Sequence, residues 1–186
     1  MAICAFILLI TGSRLAWLDL FKPSNQPYAV GGRLDLQGQE AAFDGTITLD
    51  GEWEFYPGVL LMSGERTSRP KSESAVKVRI PSQWNEGMRG MPYGFGSYRL
   101  TIQVDAEVRD QVYSIYVPSV RSASELYING TRMASSGRPA STVQEHQAEN
   151  LPYIATFMAD EQGTIELVIQ AANYSDPRGG GTGALA

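Results

Sequence analysis

The stretch from Gly96 to Gly137 limits the fold more than any other part of the chain, because it holds three alternating segments and a two-residue reversal. In the first, Tyr98, Leu100, Ile102 and Val104 fall on one side and Ser97, Arg99, Thr101 and Gln103 on the other, the period of two that marks a half-buried strand. Tyr113, Ile115 and Val117 repeat the pattern after a charged connection. Leu126 and Ile128 begin a third strand that meets Asn129-Gly130, a pair suited to the positive φ angles of a type I′ turn. The chain therefore reverses there, and Thr131 to Ala134 returns beside its own strand.

Further strands follow from the same alternation: Arg33 to Leu36, Thr46 to Leu49, Glu52 to Tyr56, Val76 to Ile80 and Thr164 to Gln170. Trp53 shares a face with Phe55 and is expected in the core, whereas Arg99, on the polar side of its strand, is expected solvated or ion-paired. In 153–158 the pattern leaves two faces open, Tyr153, Ala155 and Phe157 or Ile154, Thr156 and Met158. About nine short strands and no convincing amphipathic helix predict an all-β, antiparallel sandwich. Nineteen glycines and ten prolines suit such a turn-rich chain.

Several function classes fall away on composition. The net charge is −5 and no basic cluster could neutralise a run of phosphates, so nucleic acid is not an expected partner. The only cysteine, Cys4, lies in an apolar leader, which excludes a disulfide framework, a zinc knuckle and a thiol nucleophile in the folded part. The only histidine, His146, sits in a polar loop with no nucleophile motif beside it. No His and carboxylate cluster has metal-ligand spacing, and neither cofactor nor metal is expected.

Five successive motifs carry a resemblance: GEWEFYPG (Gly51 to Gly58), IPSQW (Ile80 to Trp84), GSYRLTI (Gly96 to Ile102), ASELYING (Ala123 to Gly130) and ANYSDPRGGG (Ala172 to Gly181). Together they resemble the extracellular sensor domain of bacterial seven-transmembrane receptors with diverse intracellular signalling modules. That domain is itself similar to the jelly-roll sugar-binding domain of family 2 glycoside hydrolases. The resemblance implies a jelly roll, related to galactose-binding domains, that is noncatalytic, since in those hydrolases the catalytic carboxylates sit in a separate barrel.

The expected organisation is a signal or membrane-anchor segment over 1–21, a linker over 22–32, a ligand-binding sandwich over 33–178 and a glycine-rich exit over 179–186 toward a membrane portion. The opening MAICAFILLI supplies about half of the roughly 20 apolar residues a spanning helix needs. By resemblance the domain lies on the extracytoplasmic side of the cell membrane, touches the membrane through segments at its N-terminus and beyond its C-terminus, and could pair as a homodimer. Two other roles fit the same residues: a carbohydrate-binding accessory domain of a secreted glycosidase, and a protein-interaction sandwich.

For a carbohydrate or other small polar ligand, the candidate residues are Trp84 and Tyr93 in an aromatic, glycine-punctuated loop, Arg121 in a serine-rich bend, and Asn173 with Arg178 near the end. Aromatic rings stack on the apolar face of a pyranose while Arg and Asn supply hydrogen bonds to hydroxyls. The loop over 82–95 has two readings, a plug over an open end of the core or a set of stacking surfaces.

Overall fold

A computed structural model of the chain describes residues 26–39, 45–62, 75–83, 87, 88, 90–108, 111–120, 122–175, 181 and 182. The expected leader over 1–21, most of the polar loop over 63–75, and Trp84, Arg121 and Arg178 lie outside the described residues.

Eleven strands are present among the described residues: β1 (Arg33–Asp35), β2 (Gly51–Pro57), β3 (Val76–Ile80), β4 (Ser82–Gln83), β5 (Gly94–Gln103), β6 (Tyr113–Val117), β7 (Ala123–Ile128), β8 (Thr131–Ser136), β9 (Tyr153–Phe157), β10 (Thr164–Asn173) and β11 (Gly181–Thr182). The large sheet runs β3-β2-β5-β10-β7-β8, with β1 added beside β5. All its pairings are antiparallel except β1 with β5, which is parallel. A two-stranded sheet, β6 with β9, forms the second layer, and β4 pairs with β11 in a short ribbon. The architecture is thus a mostly antiparallel β-sandwich, as the alternation predicts.

The core lies between the layers. Trp53, Phe55, Leu100, Leu126, Leu167 and Ile169, all on the inner face of the large sheet, are wholly buried and meet Ile115, Val117 and Ala155 of the small one. Phe55 and Tyr98 pack at 4.6 Å between ring centroids. Gly96 sits directly beneath Phe55, where a Cβ would come within 2.6 Å of the ring, so the close approach requires glycine. At the β7–β8 hairpin Asn129 and Gly130 have φ of 48° and 80°, as the turn type demands. The Asn129 Oδ1 also accepts the Glu166 amide at 2.7 Å, which ties the turn to β10.

In β9 the structure selects Tyr153, Ala155 and Phe157 as the inner set and leaves Ile154 exposed. Thr46 to Leu49, expected as a strand, joins no ladder among the described residues. Side chains hold it instead: the Trp53 indole Nε1 donates to the Leu49 carbonyl at 2.9 Å, and the Thr48 amide donates to Gln26 Oε1 at 3.3 Å. Ala29 to Gly32, within the stretch expected as linker, pack on the sheet. Ala29 is 0% exposed; its amide donates to the Asp50 carbonyl and its carbonyl accepts the Glu52 amide of β2, and a turn at Gly31 and Gly32 leads on into β1.

The outer face of the large sheet is mostly polar and is covered in part. Ser97 Oγ donates to the Val59 carbonyl at 2.8 Å and Gln170 Oε1 accepts the Met62 amide at 2.6 Å, so the segment after β2 folds over that face. Arg99 lies between Glu54 and Glu166, at 3.7 and 3.3 Å, and Lys77 reaches Glu54 at 3.1 Å. Arg99 is therefore ion-paired, as its position on the strand suggested.

Candidate functional site

One end of the sandwich gathers the start of β5, the start of β7, the end of β10, the described residues 90–93 and 118–120 with Ser122, and the loop over 137–150. The strand register fixes this, because Asn173 pairs with Gly94 and Ala172 with Ala123. The Ser122 amide also donates to the Ala172 carbonyl at 3.2 Å. The end of the 118–122 bend thereby lies beside the end of β10.

Tyr93 and Asn173 meet at this rim, but they play different parts. Asn173 is wholly buried, and its Nδ2 donates to the Pro92 carbonyl at 2.8 Å. Its amide orients the loop, rather than presenting a free group to solvent. Tyr93, the next residue, is 45% exposed, so its ring is available for stacking. The loop serves both readings made of it. Met88 is 5% exposed and belongs to the core, whereas Met91 and Tyr93 face solvent.

Beside them lies a cluster that the sequence did not single out. Ser122 Oγ is 3.1 Å from His146 Nε2 and 2.9 Å from Ser175 Oγ. The His146 ring meets Tyr174 edge-on at 5.2 Å, and the Tyr174 hydroxyl donates to the Ala140 carbonyl at 3.2 Å. His146 Nδ1 is buried and has no hydrogen-bond partner among the described residues. Burial pushes the imidazole pKa down, and the Arg138 backbone opposes that shift. The loop that carries His146 is itself pinned, by the Arg138–Gln147 bridge and by Gly137 N donating to Glu149 Oε2 at 2.7 Å. Nearby, the Ser124 hydroxyl contacts the Tyr153 hydroxyl at 3.0 Å, and burial raises the Tyr153 pKa to about 12.

Of the other candidates, Arg121 adjoins Ser122 in the chain, but it, Trp84 and Arg178 lie outside the described residues. Tyr174 and Ser175 belong to the quoted motif ANYSDPRGGG, and His146 is the sole histidine; these were the only signals pointing to them. The arrangement is chemically suited to binding. An exposed ring shares this end of the sandwich with hydroxyl and imidazole groups, the mixture that recognises a polyhydroxylated molecule. Among the described residues no group of three or more His, Cys, Asp or Glu is placed to hold a metal ion. No helix among them is long and apolar enough to cross a membrane.

No family model and no curated relative matches the chain. Among solved structures it is similar to the β-glucuronidase of Ruminococcus gnavus, at 20% identity over 68% of this chain, with a TM-score of 0.48. The same enzyme in complex with D-glucuronic acid aligns at 21% identity over 68% of this chain, with a TM-score of 0.49. In complex with uronic isofagomine it aligns at 19% identity over 69%, again with a TM-score of 0.49. The chain spans 21% of the length of each of these proteins.

Proposed function

We propose that this chain is a noncatalytic β-sandwich that binds a carbohydrate or another small polar ligand at the rim around Tyr93, Ser122 and His146. We further propose that it serves as the extracytoplasmic sensor domain of a bacterial membrane receptor. The observation that carries the binding role is the solvent-exposed Tyr93 ring at the same end of the sandwich as the hydroxyl and imidazole cluster of Ser122, His146 and Ser175. The receptor role is supported by the ordered motif series and by the apolar opening of the sequence.

The noncatalytic reading is supported by the same geometry. Ser122 and His146 lie at the separation of a nucleophile and its base, yet the Ser122 hydroxyl is shared with Ser175. No carboxylate orients the imidazole through Nδ1 among the described residues, so the third member of a hydrolytic triad is missing there.

A thermal-shift screen of the 186-residue chain against mono- and oligosaccharides and small polar metabolites tests the proposal. A ligand held only by the folded state, at a hundred times its Kd, adds about 2.7 kcal/mol, which for a domain of this size raises the Tm by about 5 to 10 °C. Tyr93→Ala should abolish that shift. A shift that survives Tyr93→Ala would place the site elsewhere, and no shift from any compound would favour the protein-interaction role.

A further inference from the structure

The opposite end of the sandwich holds a cavity of about 400 Å³ that the rim does not use. It exists because the second layer stops short. Among the described residues β6 pairs with β9 alone, and 45–49 has no ladder partner. The cavity is lined from both sides of this gap, by Ile47 and Leu49 on one side and by Tyr113 and Ile115 on the other. Its floor reaches the core, where Val104 and Leu167 are both 0% exposed.

The lining states what could enter. It contains no charged side chain among the described residues, so neither a carboxylate nor an ammonium would find a counter-charge there. Its polar members, among them Thr46, Gln111 and Ser114, are exposed residues at the mouth and offer only neutral hydrogen bonds. Tyr113 stacks against Phe157 at 6.0 Å and 27°, giving the wall a flat aromatic surface. Apolar depth, a neutral polar mouth and a few hundred cubic ångströms are the attributes of a small-molecule site.

We propose that this cavity is a second binding site, distinct from the rim, which takes one neutral amphipathic small molecule: a flat aromatic or alkyl body inserted between 45–49 and β6, with a hydroxyl or amide head at the mouth. The body covers apolar surface in the gap between 45–49 and β6. The head group meets Thr46, Gln111 or Ser114. Because the floor includes β5 and β10 residues, occupation also bridges the two layers and stiffens the end of the sandwich remote from Tyr93.

The test is an amide-resolved NMR titration of the full chain with 2-naphthol, which is uncharged near neutral pH and has the expected shape. Saturable shifts should concentrate in 45–49, 111–116 and 154–157. Ser114→Trp, which fills the mouth from an exposed position, should weaken binding by about tenfold or more. Gln111→Trp, at a different point of the mouth, should do the same and stands in if the first variant does not fold. Tyr93→Ala should leave 2-naphthol affinity unchanged, which separates this site from the rim. Non-saturating or scattered shifts would overturn the proposal, as would unaltered affinity in a folded mouth variant. So would shifts of the same residues when the protein is concentrated without 2-naphthol, which would mark the gap as an interface between copies.

Discussion

Trp53→Ala tests how the sandwich is held together where its second layer is thinnest. The indole is 0% exposed, and its Nε1 donates to the Leu49 carbonyl at 2.9 Å. Truncating a buried large aromatic costs about 3 to 5 kcal/mol. Loss of the donor leaves the Leu49 carbonyl without this partner, at about 1 kcal/mol more. Against a total stability of about 5 to 15 kcal/mol this is a large fraction. With a urea slope near 2 kcal/mol/M, the unfolding midpoint should fall by about 2 to 3 M. Far-UV circular dichroism is the appropriate probe, since Trp17 and Trp84 also contribute to fluorescence. Trp53→Phe keeps a ring in the core but cannot donate to Leu49, and should lower the midpoint by only about 0.5 to 1 M. A midpoint within about 0.5 M of the parent for Trp53→Ala would refute the assignment of Trp53 as the tie between the core and 45–49.

Three further outcomes follow from particular contacts. Gly96→Ala should destabilise the chain by about 1 to 3 kcal/mol in the same urea assay, because the new methyl would meet the Phe55 ring at 2.6 Å; an unchanged midpoint would show that the ring yields freely. Tyr93→Ala, removing a half-exposed side chain, should change stability by less than about 1 kcal/mol while ligand-induced stabilisation disappears, so a large loss of stability would make Tyr93 structural. For His146 the folded pKa lies below the ordinary 6.5, so between those two values the unfolded chain binds more protons. Its contribution to stability is therefore intact above about pH 6.5 and is lost as the pH falls from there through the folded pKa. His146→Gln should flatten that part of the urea-midpoint profile against pH, and an unaltered profile would remove His146 as its source.

What the sequence made legible were features written in consecutive residues. The alternation of β5 and β10, the Asn129-Gly130 reversal and the place of Trp53 in the core depend on local periodicity and turn chemistry, and the structure has each of them. The inner face of β9 was not legible, because both of its alternating sets are partly apolar; partnership with Tyr113 and Ile115 of β6 decides it. Thr46 to Leu49 has a strand's alternation but no ladder, since periodicity reports which face is buried and not whether a neighbouring edge is present. Gln170, on the polar side of β10, is buried where the segment after β2 folds over it, at the Met62–Gln170 contact between residues 108 apart. The rim was partly legible. An exposed Tyr93 could be expected of an aromatic loop, but the joining of Ser122 to His146 and Ser175, 24 and 53 residues apart, is set by tertiary packing.

The central claim is that the rim binds a small polar ligand. Isothermal titration of the full chain with the sugar or metabolite that most raises its Tm, repeated with Tyr93→Ala and Ser122→Ala, tests it most directly. The account predicts one saturable site per chain in the parent, affinity lowered by about tenfold or more in each variant, and unchanged folding by circular dichroism. Equal affinity in the parent and in both folded variants would contradict it.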